Sequence, residues 1–211
     1  DKARQIADFV QQMIAGIDPD RAKGLDRELM RLMLDSSAER AGSELATQPQ
    51  VRAAIERTIA QSYAAISEQA RSAEHFAAAR EAATKANLPV GERARLLMGQ
   101  ASALGGLSRF DEGLKLAQQA LDEVQGLPES DRDRLFIESR LAWLEQGAGQ
   151  FDASITHYQH VLPLQQAAFG ADDDDSLESQ RGLAAAYART DRFAEAEPLL
   201  KDVLERYRKR Y

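Results

Sequence analysis

An all-α, right-handed helical-repeat solenoid is the fold this sequence predicts, and three observations predict it. Phe110, Phe151 and Phe193 follow one another at intervals of 41 and 42 residues. Ala79, Ala120, Val161 and Val203 keep the same ruler, and Tyr63, Leu104, Glu145 and Tyr187 keep it with looser chemistry. A fixed period near forty marks units that each bury an apolar face against their neighbours. Composition agrees: 44% of the 211 residues are apolar and only 6% aromatic, and alanine is abundant, as close helix–helix approach requires.

Two helices precede the repeats. Over residues 2–17, Ile6, Phe9, Val10, Met13 and Ile14 recur at three- and four-residue steps as one apolar stripe. Asp18-Pro19-Asp20 stops it, because proline disfavours helix in the residue before it. A second helix spans about 25–45, with Leu29, Leu32, Met33, Ala38 and Ala41 inward, and stops near Thr47-Gln48-Pro49. Residues 1–50 are therefore an N-terminal helical cap.

Four helix pairs follow, at about 51–88, 89–128, 129–170 and 171–211. The first carries Ile55, Ile59 and Tyr63 on its A helix and Phe76 and Ala79 on its B helix. The second carries Leu97, Ala101 and Leu104, then Phe110, Leu114, Ala117, Ala120 and Leu121. In the third, which opens near Asp131, Leu135, Leu141 and Ala142 precede Phe151, Ile155, Tyr158, Val161 and Leu162. The last has Leu177, Leu183, Ala184 and Tyr187, then Phe193, Ala196, Leu200, Val203 and Leu204. Turns as short as Gly149-Gln150 or Asp191-Arg192 leave the two helices of a pair antiparallel.

Several functions are disfavoured. A net charge of −7 argues against general nucleic-acid binding, which needs a broad positive surface. Without cysteine there are no disulfides and no thiolate metal sites. No run of 18 apolar residues is present to cross a membrane. The chain opens on Asp1 with no charged-then-apolar leader and reads as a piece of a longer protein. His157 and His160 share a helix face at a ligand-like spacing, but no third ligand is near in sequence. The run Asp172–Asp175 lacks the alternating ligands and turn glycine of a calcium loop; it reads as a helix opener capped by Asp174 or Asp175. Gly105-Gly106 has no following Lys-Ser/Thr and is no phosphate loop. No nucleophile–base pair or carboxylate pair assembles, so no catalytic residue and no cofactor is expected.

The string Leu183-Ala-Ala-Ala-Tyr187, followed by Arg192-Phe193-Ala-Glu-Ala196-Glu-Pro198-Leu199, resembles a tetratricopeptide repeat. Its 42-residue length and its Glu-Ala-Glu-Pro-Leu run resemble the longer-period subclass of kinesin light chains and many bacterial regulators. The likeness covers 51–211 and weakens toward the N-terminus: Ser154 and Gly113 stand where alanine is usual, Gln100 replaces a leucine and Gln69 an aromatic. Phe9-Val10, the stretch from Ile17 to Gly24, Arg27–Met30, Ala38–Arg40 and Pro49–Arg52 resemble the entry into repeats found C-terminal to bacterial Ser/Thr kinase domains. That resemblance implies a sensor on the far side of a membrane, hence a periplasmic location, with cytoplasmic relatives as the alternative. No kinase motif lies within this chain.

In this family the A helices line a concave wall. Transferring its inward positions places Arg57 and Gln61, then Arg95, Met98 and Ser102, in the groove. Phe136, Arg140, Trp143 and Gln146 follow from the third repeat, and Arg181, Ala185 and Arg189 from the fourth. Five arginines thus fall on one wall of an acidic protein. Arginine's planar fork suits carboxylates, and Trp and Arg are frequent binding hot spots. The expected partner is a protein or an acidic peptide, with packing of Trp143 and pairing of the arginines to Glu56, Glu138 and Glu178 as the plainer alternative. The expected role is the sensor or scaffold region of a bacterial signalling protein; a passive assembly adaptor and a small-molecule sensor are the alternatives. Helix 2–17 caps the array or mediates homodimerisation.

Overall fold

The computed structural model describes residues 27–210, which are helical between short turns; among them no strand occurs. The helices are α1 (Arg27–Glu44), α2 (Pro49–Ala65), α3 (Gln69–Lys85), α4 (Val90–Gly106), α5 (Phe110–Val124), α6 (Arg132–Gly147), α7 (Phe151–Phe169), α8 (Asp174–Arg189) and α9 (Phe193–Arg210). The expected helix over 2–17 lies outside the described residues. Two compact units divide the chain, Asp1–Leu107 and Ser108–Tyr211. The division falls in the turn of the second expected pair.

The ruler is written in the backbone as well as in the side chains. Ser67, Ser108, Gly149 and Asp191 take positive φ, at 63°, 60°, 80° and 58°, and they stand 41, 41 and 42 residues apart. Each is the left-handed residue that ends an A helix. The amide two positions past the cap then reaches back to the third-last carbonyl: Glu68 to Tyr63 at 2.8 Å, Gln150 to Glu145 at 2.8 Å, Arg192 to Tyr187 at 2.9 Å. The chain reverses at once, and the B helix begins on the next residue or two. This is why a period so loose in side-chain identity holds its length.

In the first unit α1 buries Leu34 and Ala41 against Val51, Ile55, Ile59 and Tyr63 of α2. The Tyr63 hydroxyl also donates to Asp35 at 2.6 Å. Leu32 and Met33, expected inward, are 54% and 52% exposed. The buried face of α1 runs through Met30, Leu34 and Ala41, and Leu32 and Met33 lie on its other side. A second cluster joins α2, α3 and α4 through Ala53, Ala60, Phe76, Ala79 and Leu96. In the second unit Ala142, Ile155, Tyr158, Leu162, Leu183, Ala186, Tyr187 and Ala196 form the core.

Within each unit, an aromatic of a B helix enters a glycine notch on the following A helix. A Cβ on Gly99 would stand 2.4 Å from the Phe76 ring, one on Gly147 2.4 Å from Phe110, and one on Gly182 2.4 Å from Tyr158. Glycine here is a packing requirement, since no side chain fits beneath the ring. The acidic run closes the corner of α6, α8 and α9. Arg132 reaches Asp173 at 2.7 Å and Asp175 at 2.9 Å, Arg206 reaches Asp172 at 2.7 Å, and Arg210 pairs with Asp174. Asp173 is the α8 cap, accepting from the Asp175 amide. The expected caps, Asp174 and Asp175, lie one and two residues further on, inside the first turn.

Candidate functional site

In the second unit, α6 and α8 lie side by side as one wall. Ser139 and Ser179 share a buried hydrogen bond of 2.8 Å between them, and the Gln146 amide donates to the Gly182 carbonyl at 3.1 Å. Both helices are amphipathic in the repeat sense, burying Leu135, Ile137, Leu141 and Leu144 on α6 and Leu177, Leu183 and Tyr187 on α8. What remains for the outer surface is Phe136, Arg140 and Trp143 on α6, and Glu178, Arg181, Ala185 and Arg189 on α8, all half-buried or exposed.

Glu178 organises this surface. Its carboxylate accepts from Arg140 at 3.5 Å and from Arg181 at 3.1 Å. The Arg140 guanidinium also lies over the Phe136 ring, 5.3 Å from its centroid. Arg189 lies 5.3 Å from the centroid of Phe151, an aromatic contact that leaves its donors directed elsewhere. Trp143 is 38% exposed, so the indole is available at the surface. Arg140, Arg181, Glu178 and the accessible Trp143 thus belong to the outer surface of α6 and α8, with Arg189 further along α8 against Phe151. A carboxylate already sits between two of the guanidiniums, which shows that this spacing holds one.

The first unit places its predicted residues separately. Arg57 is half-buried and Gln61 exposed on α2, while Arg95 and Ser102 are half-buried on α4. The Arg57 Nε is buried with no hydrogen-bond partner among the described residues. Met98 departs from expectation: at 1% exposure it is core, because the A-helix face meets the preceding B helix at this level, next to the Gly99 notch.

The histidines were the signal that sequence reasoning passed over. All three bond to buried glutamates across a helix pair. His75 on α3 meets Glu56 on α2 at 2.7 Å, His157 on α7 meets Glu145 on α6 at 2.8 Å, and His160 meets Glu138 at 2.7 Å. Glu56, Glu138 and Glu145 are 3%, 7% and 6% exposed. His157 and His160 thus turn to separate carboxylates rather than to one metal. The ruler offered the clue: His157 stands two periods of 41 after His75, and Glu138 two periods after Glu56. Donating its ring N–H to the Glu145 carboxylate raises the His157 imidazole above its usual range, partial burial opposing it. Among the described residues no three metal-ligating side chains gather, and no helix is long and apolar enough to cross a membrane.

Antiparallel helix pairs stacked at a period near forty, with a polar wall on the A helices, define an α-helical repeat protein. Residues 133–209 match the family model of the tetratricopeptide repeat, and this part of the chain has the antiparallel helix pairs of such repeats. Solved structures share the fold. BtubC (BKLC) from P. vanneervenii is 18% identical with a TM-score of 0.71, over 99% of this chain and 86% of that one. A putative kinesin light chain of nearly identical TPR-like repeats from Podosopora anserina is 21% identical with a TM-score of 0.66, over 99% and 96%. MamA from Desulfovibrio magneticus is 15% identical with a TM-score of 0.61, over 99% and 97%. No curated protein matches the sequence. Repeat solenoids of this kind present extended surfaces suited to binding other proteins.

Proposed function

We propose that this chain is a protein-recognition module whose α6–α8 wall takes an acidic peptide segment of a partner. The observation that carries the reading is the Glu178 carboxylate held by Arg140 and Arg181, with Trp143 exposed on the same wall. That carboxylate accepts from two guanidiniums at 3.1 and 3.5 Å. An incoming carboxylate meets the remaining donors of Arg140 and Arg181, a second one further along the segment meets Arg189, and an apolar or aromatic residue between them covers Trp143. Gln146, held on the Gly182 carbonyl, fixes the spacing of the two helices more than it offers a contact. Arg57, Gln61 and Arg95 give the first unit a second polar surface of the same chemistry. The sensor or scaffold role beside a signalling domain, and the compartment that goes with it, rest on the resemblance of the first fifty residues.

Titration of Trp143 fluorescence with acidic and C-terminal-carboxylate peptides tests the reading. Saturable binding that weakens with salt and is lost in Arg140→Glu is the expected result. Peptides that leave the indole unmoved in a folded sample would remove the α6–α8 wall as the recognition surface.

A further inference from the structure

Beneath the α6–α8 wall lies a donor that the pairing of Glu178 leaves unused. Tyr158 of α7 is 2% exposed, and its hydroxyl has no hydrogen-bond partner among the described residues. The ring packs with Ala142 of α6 and Leu183 of α8 and ends at Gly182, where a Cβ would stand 2.5 Å from the hydroxyl oxygen. Gly182 is half-buried. It follows Glu178 by about one helical turn and stands next to Arg181, so it lies on the stripe of α8 that carries both. Because residue 182 is a glycine, no side chain of its own covers the hydroxyl there.

The hydroxyl also shares the field of the wall. Burial pushes its ionisation above the ordinary tyrosine range, and the charges acting on it are Arg140, Glu178, Arg181 and Glu145. It stays protonated and is an O–H donor.

Glu178 shows what the site holds and what it leaves over. One oxygen, Oε1, accepts from Arg140 Nη1 at 3.5 Å and from Arg181 Nη2 at 3.1 Å. Neither of its oxygens reaches Tyr158. Two guanidiniums and one hydroxyl, from α6, α8 and α7, thus border the turn of α8 between Glu178 and Gly182, and a planar carboxylate on a short tether satisfies only the guanidiniums. Exchanging Glu178 for the carboxylate of a ligand brings little, since an untethered pair replaces a tethered one of equal charge. A phosphoryl group differs on both counts: it carries a charge of about −1.5 to −2 and three terminal oxygens. Each guanidinium and the hydroxyl can then have an oxygen of its own. Glu178 is 40% exposed and is held by surface pairs, so it is free to turn to solvent.

We propose that the anion taken by this wall is the phosphoryl group of a phosphorylated peptide, held by Arg140, Arg181 and the Tyr158 hydroxyl in place of Glu178. The inference rests on the α6–α8 wall being the recognition surface, and it narrows the ligand from an acidic segment to a phosphorylated one.

Three peptides that differ at one position, phosphoserine, glutamate or serine, titrated against Trp143 fluorescence in the whole chain, test it, with inorganic phosphate as a fourth titrant. The phosphoserine peptide should bind at least about tenfold more tightly than the glutamate peptide. Tyr158→Phe keeps the ring in its notch and should melt like the native chain. It should weaken the phosphoserine peptide about tenfold and the glutamate peptide less than about twofold. Arg181→Gln, at an exposed position, should weaken both. Inorganic phosphate, which makes no contact with Trp143, should compete only at far higher concentration than the phosphoserine peptide. Equal affinity for the phosphoserine and glutamate peptides, or a phosphoserine preference that survives Tyr158→Phe, overturns the proposal and leaves the acidic-peptide reading standing. Inorganic phosphate binding as tightly as the phosphoserine peptide overturns it in favour of a site for the free ion. If no peptide moves the indole, the wall is not the recognition surface and both readings fall.

Discussion

Glu138 and Glu145 are carboxylates buried on α6, and each is met by a histidine of α7. The His157 imidazole is held above its usual range by its bond to Glu145. A raised folded-state value means that the bond stabilises fully below the unfolded-state value near 6.5 and is lost as pH rises through the folded-state value. Comparing denaturant midpoints of the native chain and His157→Gln between pH 5.5 and 9 checks this. The native chain should be favoured by about 1 kcal/mol at the acid end, the scale of a charge-assisted bond in partial contact with solvent, with the gap closing toward the alkaline end. At the wall, Glu178 neutralises part of what Arg140 and Arg181 offer. Glu178→Gln should therefore tighten an acidic peptide roughly three- to tenfold in the Trp143 titration; weaker binding would mean that Glu178 positions the arginines. In the interior, the Gln165 amide is 1% exposed, and neither its oxygen nor its nitrogen has a partner among the described residues. Gln165→Met, similar in volume, should raise stability by about 1–2 kcal/mol in chemical unfolding.

Two devices govern the elements: left-handed turns that end A helices, and notches that receive B helices. Ser108 holds φ at 60°, a region costing a non-glycine residue about 1 kcal/mol. Gly149 fills the equivalent place one period later without that cost. Ser108→Gly should accordingly stabilise by about 0.5–1 kcal/mol, less whatever entropy the unfolded chain gains. The notch behaves oppositely. Alanine is the better helix former by about 1 kcal/mol, yet Gly182→Ala places a Cβ 2.4 Å from the Tyr158 ring. Overpacking should win, with a net loss of about 1–3 kcal/mol in thermal or chemical melts. An unchanged melt would show that α7 and α8 separate easily.

At the scale of the whole molecule, the two compact units each have their own apolar clusters. A fragment of residues 108–211 should therefore fold alone, with helical circular dichroism and a cooperative melt. It carries Arg140, Trp143, Arg181 and Arg189, so it should keep the peptide affinity of the full chain within about twofold. Loss of affinity in a folded fragment would assign part of the binding to Arg57, Gln61 and Arg95.

The sequence by itself determined the repeat. Helix pairs, their turns and most buried positions follow from local spacing, and a period repeated four times leaves few ways to stack. Ile59, Tyr63, Ala79, Leu97, Ala120, Val161 and Ala184 are all buried as their spacing requires. The tertiary structure decided what depends on the neighbour. Leu32 and Met33 face outward because α2 meets the other side of α1, and Phe193, Leu200 and Leu204 are exposed although Phe151, Tyr158 and Leu162 occupy the same register. Nor does spacing along one helix reveal which carboxylate a histidine meets across a pair, or that Glu178 sits between two arginines. Periodicity is a property of the chain, but burial and pairing belong to the surfaces that the chain brings together.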